Sequence, residues 1–314
     1  MSVQVNLEKN FISAVVYAHN EEARIAGFLK MLKTELEKHF GHYEIIVVND
    51  DSDDNTADEI RKAASEFDNS VVSILKMSYY QGLELSMNAG KKLAIGDYVY
   101  EFDSLDMNYE PEQIFEVYQH ALKGYDIVSA VPQGKRKLSS RLFYMIFNHF
   151  SNVQYKLETE NFRVLSRRAI NRIESSSTAI PYRKAIYANC GLKYDKITYP
   201  QKACQSRKEK EDSRYRSQVA VESLILHTNV AYKVSTALTV LMMAVTLFAL
   251  IYTVVVFLTG HPVAGWTTMM LVMSFGFFGM FAILSIVIRY LSIILDLNYS
   301  KKRAVFESIE KISK

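Results

Sequence analysis

Cysteine is scarce in this chain, since only Cys190 and Cys204 occur among 314 residues. Two cysteines without the closely spaced pairs of a zinc site exclude a disulfide-rich scaffold, so we expect both to be free thiols. Glycine-rich phosphate loops are also missing, because neither a G-x-G-x-x-G nor a P-loop pattern occurs. Their absence disfavours a dinucleotide-dependent redox enzyme and a P-loop nucleotide hydrolase.

An excess of charge of either sign is absent as well, with 37 lysines and arginines against 34 aspartates and glutamates. This balance gives no reason to expect nucleic acid as a partner. Charged residues are entirely missing from residues 234–258 and 266–288. Each stretch exceeds the ~20 residues that span ~30 Å of hydrocarbon, which predicts two transmembrane helices. Two buried helices of a soluble core are the alternative, but charge-free runs of this length are rare there.

Basic residues predict the orientation of these spans. Lys233 precedes the first span, Arg289 and residues 301–303 follow the second, and the turn between them has no lysine or arginine. By the positive-inside rule, both termini are expected in the cytoplasm. The polar first residues lack a signal-peptide pattern, so we expect the large N-terminal part to remain cytosolic.

The N-terminal part alternates short apolar runs with helical patterns. Residues 11–17 and 43–48 are apolar and β-branched, and the segment between them spaces its apolar residues at helical intervals. This alternation predicts an α/β fold whose mostly parallel sheet is covered by helices on both faces. The further predicted elements are helices 55–67 and 82–94 and strands 71–77 and 97–102.

Polar residues follow three of the predicted strands, at 18–22, 49–56 and 103–106. Because ligands bind at the carboxyl ends of parallel strands, we expect these loops to converge on one rim of the sheet. Asp103 and Asp106 in the third loop have two interpretations. They form either a solvated acidic turn or a pair of oxygen ligands for a divalent cation such as Mg²⁺.

The order of several motifs resembles family-two glycosyltransferases with a GT-A fold. The N-terminal motifs are VVYAHNEEARI, YEIIVVNDDSDDNTADEI, GLELSMNAGKKLAIGDYVYEFD and EPEQIFEVYQHALKGYDIVSA. The later SSRLFYMIFNHFS, ENFRVLSRRAI and RKEKEDSRY, followed by two spans, are similar to the polyprenyl-phosphate branch that includes dolichol-phosphate mannose synthases. The resemblance covers nearly the whole chain and depends on the order and spacing of the motifs, because each alone is weakly specific.

The resemblance implies a membrane-bound, inverting enzyme that transfers a sugar from a UDP- or GDP-type donor to a polyprenyl phosphate lipid. It implies Mg²⁺ or Mn²⁺ bound by Asp103 and Asp106, with Arg141 and Arg163 near the donor diphosphate or the acceptor phosphate. These four residues are the implied catalytic set. The residues implied to bind the nucleotide are Ala18, Asn20, Glu22, Asp50, Gly82 and Arg207.

Four positions depart from the family pattern, one of them Val131 in place of a basic residue. Asn49 stands where an aspartate is usual, Leu105 interrupts the D-x-D metal motif, and Asn161 replaces an aspartate before Phe-Arg. These departures leave a second hypothesis open: a catalytically weakened GT-A-like membrane protein that binds nucleotide or lipid as an assembly partner. A processive polysaccharide synthase is disfavoured because the chain has no Q-x-x-R-W motif.

The predicted organisation is a GT-A domain at 1–228, two spans within 229–298 and a cytoplasmic tail at 299–314. Residues 139–155 have an amphipathic pattern that favours a helix, either in the membrane interface or packed on the domain. The tail pattern predicts a short amphipathic helix or a frayed end. Spans rich in methionine, phenylalanine and small residues would permit a homo-oligomer.

Overall fold

The computed structural model describes residues 7–67, 71–134, 138–151, 154–176, 182–202, 220, 228, 230–260, 263–298 and 306–312. They belong to two compact units, Met1–Ala220 with Lys301–Lys314 and Val221–Ser300. The strands are β1 (Ile12–Ala18), β2 (Tyr43–Asn49), β3 (Val71–Met77), β4 (Tyr98–Phe102), β5 (Ile127–Gln133), β6 (Phe162–Ser166), β7 (Tyr194–Pro200) and β8 (Phe306–Ile312). The helices are α1 (Ile25–His39), α2 (Thr56–Ser65), α3 (Leu83–Leu93), α4 (Glu112–Ala121), α5 (Leu138–Phe150), α6 (Arg167–Ser176), α7 (Arg183–Tyr187), α8 (Val230–Thr259) and α9 (Trp266–Asn298).

The first unit is built on one mixed sheet with the strand order β7-β5-β6-β4-β1-β2-β3-β8. Its central strands β4, β1, β2 and β3 are parallel. Strand β6 is antiparallel to both β4 and β5, and β8 is antiparallel to β3. The predicted α/β fold with a mostly parallel sheet is confirmed, and the carboxyl ends of the central strands share one edge.

Helices cover both faces of this sheet. Helices α1, α2 and α4 contribute to one apolar core, and α3, α6 and α7 contribute to a second core on the opposite face. Helix α3 approaches the sheet closely at Gly90, where an added Cβ would lie 2.5 Å from Val48 Cγ2 and 2.6 Å from Val15 Cγ1. Only glycine permits this approach, because valine side chains in a packed core have little freedom to move.

The C-terminal tail was predicted as a helix or a frayed end, and this prediction is wrong. Residues Phe306–Ile312 form β8, which pairs with β3 at the edge of the sheet. Arg61 Nη2 contacts Glu310 Oε2 at 2.9 Å, and Lys76 Nζ contacts Glu307 Oε2 at 2.7 Å. Glu307, Ile309 and Lys311 occupy alternate positions along β8. Pairing with the open edge of β3 gives the backbone N–H and C=O groups of the tail their hydrogen-bond partners.

The second unit contains α8 and α9, which pack against each other. Their segments Lys233–Thr259 and Trp266–Leu291 are long and apolar enough to cross a membrane. Only 6% of the most apolar window of each is buried, which disfavours the alternative of core helices in a soluble protein. Both helices extend beyond the predicted spans 234–258 and 266–288.

Candidate active site

The loops that follow β1 and β2 are joined by hydrogen bonds. Asn20 N donates to Ser52 Oγ (2.9 Å), and Asp53 N donates to Asn20 Oδ1 (2.8 Å). Asn20 has φ 52°, a left-handed conformation that asparagine tolerates better than most residues. Asn49 Oδ1 accepts hydrogen bonds from Ser52 N at 3.2 Å and from Ser52 Oγ at 2.6 Å. The side-chain oxygen of Asn49 therefore stabilises the second loop through its two hydrogen bonds from Ser52.

Ala18 and Glu22 lie at the two ends of the first loop. Ala18 is buried, and its carbonyl accepts a hydrogen bond from Asp50 N at 2.9 Å. Glu22 is exposed; its N–H donates to Asp54 Oδ2 (3.1 Å), and its Oε2 accepts from Asn55 N (3.0 Å). Both residues help to join the two loops, and their predicted contact with a nucleotide stays a prediction.

Asp50 braces the loop that follows β3. Its Oδ1 accepts from Gln81 N at 2.9 Å, and its Oδ2 accepts from Gly82 N at 2.8 Å and from Tyr17 Oη at 3.0 Å. Gly82 immediately precedes α3 as its N-cap residue and has φ 82°, a conformation that favours glycine. Asp50 is completely buried, so the structure gives it a structural role beneath the rim, while its predicted contact with the nucleotide stays a prediction.

An exposed aromatic pair follows β3 on the same rim. Tyr79 and Tyr80 are 55% and 41% exposed. The Tyr80 ring centroid lies 4.6 Å from that of His19, whose Nδ1 is 2.6 Å from the Asp50 carbonyl oxygen. Sequence reasoning did not single out Tyr80, although two aromatic residues directly after a strand were a visible signal.

Asp103 follows β4 and is held by two arginines, which we call the arginine clamp (Arg163 and Arg183). Arg183 Nη2 donates to Asp103 Oδ1 at 2.7 Å, and Arg163 Nη2 donates to Asp103 Oδ2. Both guanidinium groups are completely buried, whereas 11% of the Asp103 side chain is exposed. Burial disfavours the charged carboxylate, but the charges of the two arginines outweigh it and hold the pKa of Asp103 well below its usual range.

The clamp is anchored by further buried carboxylates. The Nη1 atoms of Arg163 and Arg183 both donate to Glu101 Oε2 at 2.8 Å. Arg183 Nε donates to Glu84 Oε2, and Arg163 Nε donates to Glu160 Oε2, each at 3.0 Å. Burial opposes ionisation of Glu101, yet the two arginines keep its pKa below the ordinary value. Such an arrangement stabilises only while every partner is present.

Arg163 was predicted to lie near the donor diphosphate or the acceptor phosphate; it is completely buried, and its predicted role stays a prediction. Strand register explains its position, because Arg163 of β6 lies opposite Glu101 of β4. Arg163 interrupts an apolar run, and sequence reasoning singled it out through the family resemblance. The same reasoning missed Arg183 and Glu101, although Glu101 also interrupts an apolar strand, because pairing across 82 residues leaves no local pattern.

Lys91 extends this polar layer from α3. Its Nζ donates to Tyr187 Oη at 3.3 Å, and Tyr187 Oη donates to Glu101 Oε1 at 2.7 Å. Burial lowers the pKa of Lys91 to about 8, although the charge of Glu101 opposes this shift. The floor beneath Asp103 is therefore a dense set of paired charges rather than an apolar core.

Asp106 has a different set of partners from Asp103. Its Oδ1 accepts from Arg24 Nη1 at 2.9 Å, and Arg24 also pairs with Glu21 at 2.6 Å. Leu105 between the two aspartates is 2% exposed and belongs to the apolar core. The loop thus buries the residue that interrupts the D-x-D motif and directs both carboxylates to arginines.

A divalent cation fits the donor atoms of this loop. Within the described residues, no group of three or more His, Cys, Asp or Glu side chains forms a metal cage. Mg²⁺ and Mn²⁺ do not need one, because one or two carboxylates, substrate phosphates and water suffice. Each oxygen of Asp103 has a second lone pair beyond the one that faces its arginine, and part of the side chain is exposed. Asp103 and Asp106 therefore remain suitable ligands.

Arg141 lies on α5. It is exposed together with Leu142 (54% exposed) and Met145 (62% exposed), while Phe147 on the same helix is buried. The predicted amphipathic helix is thus present with apolar side chains on its exposed face. Arg207, the last predicted nucleotide residue, lies outside the described residues.

A family model described as "Glycosyl transferase family 2" matches residues 13–189, more than half of the chain. The chain belongs to glycosyl transferase family 2. The matched region contains β1 to β6, Asp50, Asp103 and the arginine clamp. The family predicted from the order of the motifs is therefore confirmed.

Curated relatives include undecaprenyl-phosphate 4-deoxy-4-formamido-L-arabinose transferases. The protein from Pectobacterium atrosepticum is 28% identical over 192 residues, 59% of this chain and 58% of the relative. The protein from Serratia proteamaculans is 28% identical over 236 residues, 73% of this chain and 68% of the relative. An uncharacterized glycosyltransferase of Synechocystis is 27% identical over 188 residues, 58% of each chain. The chain thus spans less than two thirds of the length of several relatives.

Among solved structures, the mannosyltransferase PcManGT from Pyrobaculum calidifontis has a similar fold. It superposes with a TM-score of 0.51 at 16% identity, covering 72% of this chain and 66% of that chain, and was solved with GDP-Man and Mn²⁺. At this identity the likeness concerns the fold alone. It agrees with the predicted GT-A architecture of the first unit.

Proposed function

We propose that the chain transfers a sugar from a nucleotide-sugar donor to a polyprenyl phosphate lipid. The observation that carries this proposal is a glycosyl transferase family 2 domain followed in the same chain by two helices long enough to cross a bilayer. Relatives named for undecaprenyl phosphate support a lipid acceptor. A membrane anchor holds the enzyme where its acceptor lies and so raises the effective concentration of that acceptor.

The donor is proposed to be a UDP- or GDP-sugar at the rim formed by the loops after β1, β2 and β3. Asp50 and Gly82 hold these loops in place, and Asn20 and Glu22 lie on them. Mg²⁺ or Mn²⁺, held by Asp103 and Asp106 when bound, would neutralise charge on the departing nucleoside diphosphate. The Mn²⁺ and GDP-Man in the PcManGT structure support this choice of ligands.

The proposed acceptor needs little activation by the protein. A phosphate oxygen is already anionic at neutral pH, so a general base such as the aspartate missing at Asn161 is dispensable. Attack in a single in-line step would invert the configuration at the sugar carbon. The remaining task of the protein is to hold the two substrates in line.

Helix α5 is proposed to meet the acceptor at the bilayer surface. Leu142 and Met145 would insert among lipids while Arg141 binds a lipid phosphate, because exposed apolar and basic side chains on one helix suit this interface. Packing of α5 on the domain, the other interpretation, accounts for buried Phe147 but not for exposed Leu142 and Met145.

Both termini are proposed to lie in the cytoplasm. Strand β8 follows the two spans and pairs with β3, which precedes them, so both strands must lie on the same side of the membrane. Two crossings satisfy this requirement. The basic residues that flank the spans support the cytoplasmic side.

The test is an assay of the purified full-length chain with undecaprenyl phosphate, Mn²⁺ or Mg²⁺ and a panel of UDP- and GDP-sugars. We expect lipid-dependent release of nucleoside diphosphate together with a glycolipid product. Asp103→Asn should abolish both, and Arg168→Gln, which breaks another arginine–aspartate pair of the same unit, should leave both intact.

The alternative, an assembly partner that binds nucleotide or lipid without turnover, is separated by the same assay. It is favoured by the ion pairs that Asp103 already makes with Arg163 and Arg183 and by Leu105 in the metal motif. Saturable donor binding with no product across the panel would support this alternative and contradict the proposed transfer.

A further inference from the structure

Lys184 follows Arg183, the residue of α7 that holds Asp103. Arg183 Nη2 donates to Asp103 Oδ1 at 2.7 Å, which places the start of α7 next to the carboxyl end of β4. Arg183 is completely buried, whereas Lys184 is only partly buried. Within the described residues, the Lys184 ammonium group takes part in no hydrogen bond and no ion pair. Its N–H groups are therefore available to a ligand or to water.

The groups that act on Lys184 electrostatically come from three elements besides α7. Burial opposes its positive charge, and so does Arg163. The oxygens of Tyr144, Glu160 and Asp103 outweigh these two effects and raise the pKa of the ammonium group, so it is charged at neutral pH. Tyr144 is on α5, Glu160 precedes β6 and Asp103 follows β4. Lys184 thus lies between a candidate metal ligand and the helix that we propose to meet the acceptor.

Tyr182, two residues before Lys184, packs the start of α7 against α5. Its ring centroid lies 6.2 Å from that of Phe143 and 6.1 Å from that of Phe147. Tyr182 and Phe147 are both buried, so this contact is part of the packed interior of the unit. The position of Lys184 relative to α5 is therefore fixed by aromatic packing.

A structural role, in which Lys184 only balances nearby carboxylates, is the alternative. Those carboxylates are already paired, Asp103 with Arg163 and Arg183, and Glu160 with Arg163. In the part of the chain that the structure describes, Lys184 forms an ion pair with neither. An ammonium group with unused donors suits an incoming anion, since such donors are costly to leave without a partner once water is displaced.

A phosphate oxygen is the anion that fits this position best. Lysine binds phosphate as a compact point charge, and charge-assisted hydrogen bonds of this kind are stronger than neutral ones. Both the acceptor lipid and the donor diphosphate carry such oxygens. The neighbouring α5, with its exposed Arg141, Leu142 and Met145, favours the lipid.

We propose that Lys184 is a further substrate-binding residue, whose ammonium group binds a phosphate oxygen of the acceptor lipid between Asp103 and α5. The identity of this acceptor rests on the proposed function. A terminal phosphate has three acceptor oxygens, so one can bind the lysine while another attacks the sugar carbon. Lys184 would thereby hold the attacking group in line with the donor.

The first experiment measures binding of undecaprenyl phosphate, and of undecaprenol without the phosphate, to the full-length chain in detergent by thermophoresis. We expect the wild type to prefer the phosphate. Lys184→Met should weaken binding of undecaprenyl phosphate at least about tenfold and leave undecaprenol unchanged, because a charge-assisted hydrogen bond is lost. Lys184→Arg keeps the charge and should stay within about threefold of the wild type.

Matched variants separate this contact from a structural role. Lys62→Met removes an exposed lysine of α2, which pairs with Glu59 at 3.7 Å, and should bind both lipids like the wild type. Lys184→Gln is the second neutral variant if circular dichroism shows that Lys184→Met does not fold. A purely structural lysine would give neutral variants with a lower thermal midpoint and equal losses for the two lipids, which would contradict the proposal.

The second experiment separates the two sources of phosphate. At saturating donor, Lys184→Met should raise the KM for undecaprenyl phosphate at least about tenfold, while the Kd of UDP or GDP by calorimetry stays within about twofold of the wild type. Weaker nucleotide binding with unchanged lipid binding would assign Lys184 to the donor and overturn the acceptor contact. Wild-type values for both would also overturn it. Absence of undecaprenyl phosphate binding to the wild type would instead overturn the proposed function.

Discussion

Asp126, a single carboxylate remote from Asp103, links stability to pH. Burial opposes its ionisation, but hydrogen bonds from Arg168 Nη2 (2.6 Å) and Ser166 Oγ (3.0 Å) outweigh burial and keep the pKa of Asp126 below its ordinary value. As pH falls, the unfolded chain therefore takes up the proton first. The stabilisation is present above about pH 4 and is lost below it.

The predicted consequence concerns Asp126→Asn. We expect its thermal midpoint at pH 7 to fall by about 2–4 °C, and its further decline below about pH 4 to be shallower than in the wild type. Near-ultraviolet circular dichroism of the full chain in detergent measures both. Asp58→Asn breaks an exposed pair with Arg61 and should match the wild type at pH 7. Parallel acid profiles for Asp126→Asn and the wild type would contradict the prediction.

Tyr80 is a second residue whose role is open to a direct test, on the basis of the proposed function. An exposed ring beside His19 at the strand ends suits stacking with a nucleotide base, which is worth about 1–3 kcal/mol. Tyr80→Ala should therefore weaken UDP or GDP binding about tenfold and leave pyrophosphate binding unchanged, as measured by calorimetry. Tyr80→Phe keeps the ring and should bind like the wild type. Equal losses for nucleotide and pyrophosphate would exclude stacking.

At the level of whole elements, Gly90 sets the distance between α3 and the sheet. Gly90→Ala brings a methyl group against Val15 and Val48, and overpacking of this kind costs about 1–3 kcal/mol. We expect a lower thermal midpoint. Gly27→Ala in α1 meets nothing within 4 Å and should be neutral or stabilising by up to about 1 kcal/mol. A Gly90→Ala chain as stable as Gly27→Ala would show that α3 has room to move.

Strand β8 is the element that the sequence patterns misassigned. Removing residues 305–314 would expose the edge of β3, and exposed edges promote association between sheets. We expect the truncated chain to unfold at a lower temperature and to aggregate in size-exclusion chromatography. Glu310→Gln removes only the half-exposed pair with Arg61 and should cost less than about 1 kcal/mol. A monodisperse truncated chain of full stability would make β8 dispensable.

For the molecule as a whole, the decisive question is which side of the membrane each part occupies. We expect Val263→Cys, 82% exposed between the two spans, to react with a membrane-impermeant maleimide in intact cells. Lys311→Cys on the exposed face of β8 should react only after permeabilisation. Labelling of Lys311→Cys in intact cells would contradict the proposed cytoplasmic side.

Much of the architecture was predictable because it depends on local patterns. Strands β1 to β4 and helices α2 and α3 appear within two residues of their predicted limits, since alternation and helical spacing are properties of short segments. The two apolar helices were equally visible, because a long charge-free run predicts a helix long enough to cross a membrane. The partners of Asp103 were not predictable, because Arg163 and Arg183 lie 60 and 80 residues away.

The amino-acid order alone was sufficient to predict the fold class, the family and two helices long and apolar enough to cross a membrane, all of which depend on composition and spacing within short segments. Folding decided that Asp103 is clamped, that Arg163 is buried and that the tail becomes β8. Each of these depends on which distant segments meet. Ion pairs between distant residues and the pairing of a strand with a sheet edge leave no repeating pattern in the sequence. Only the three-dimensional arrangement therefore selects the partner.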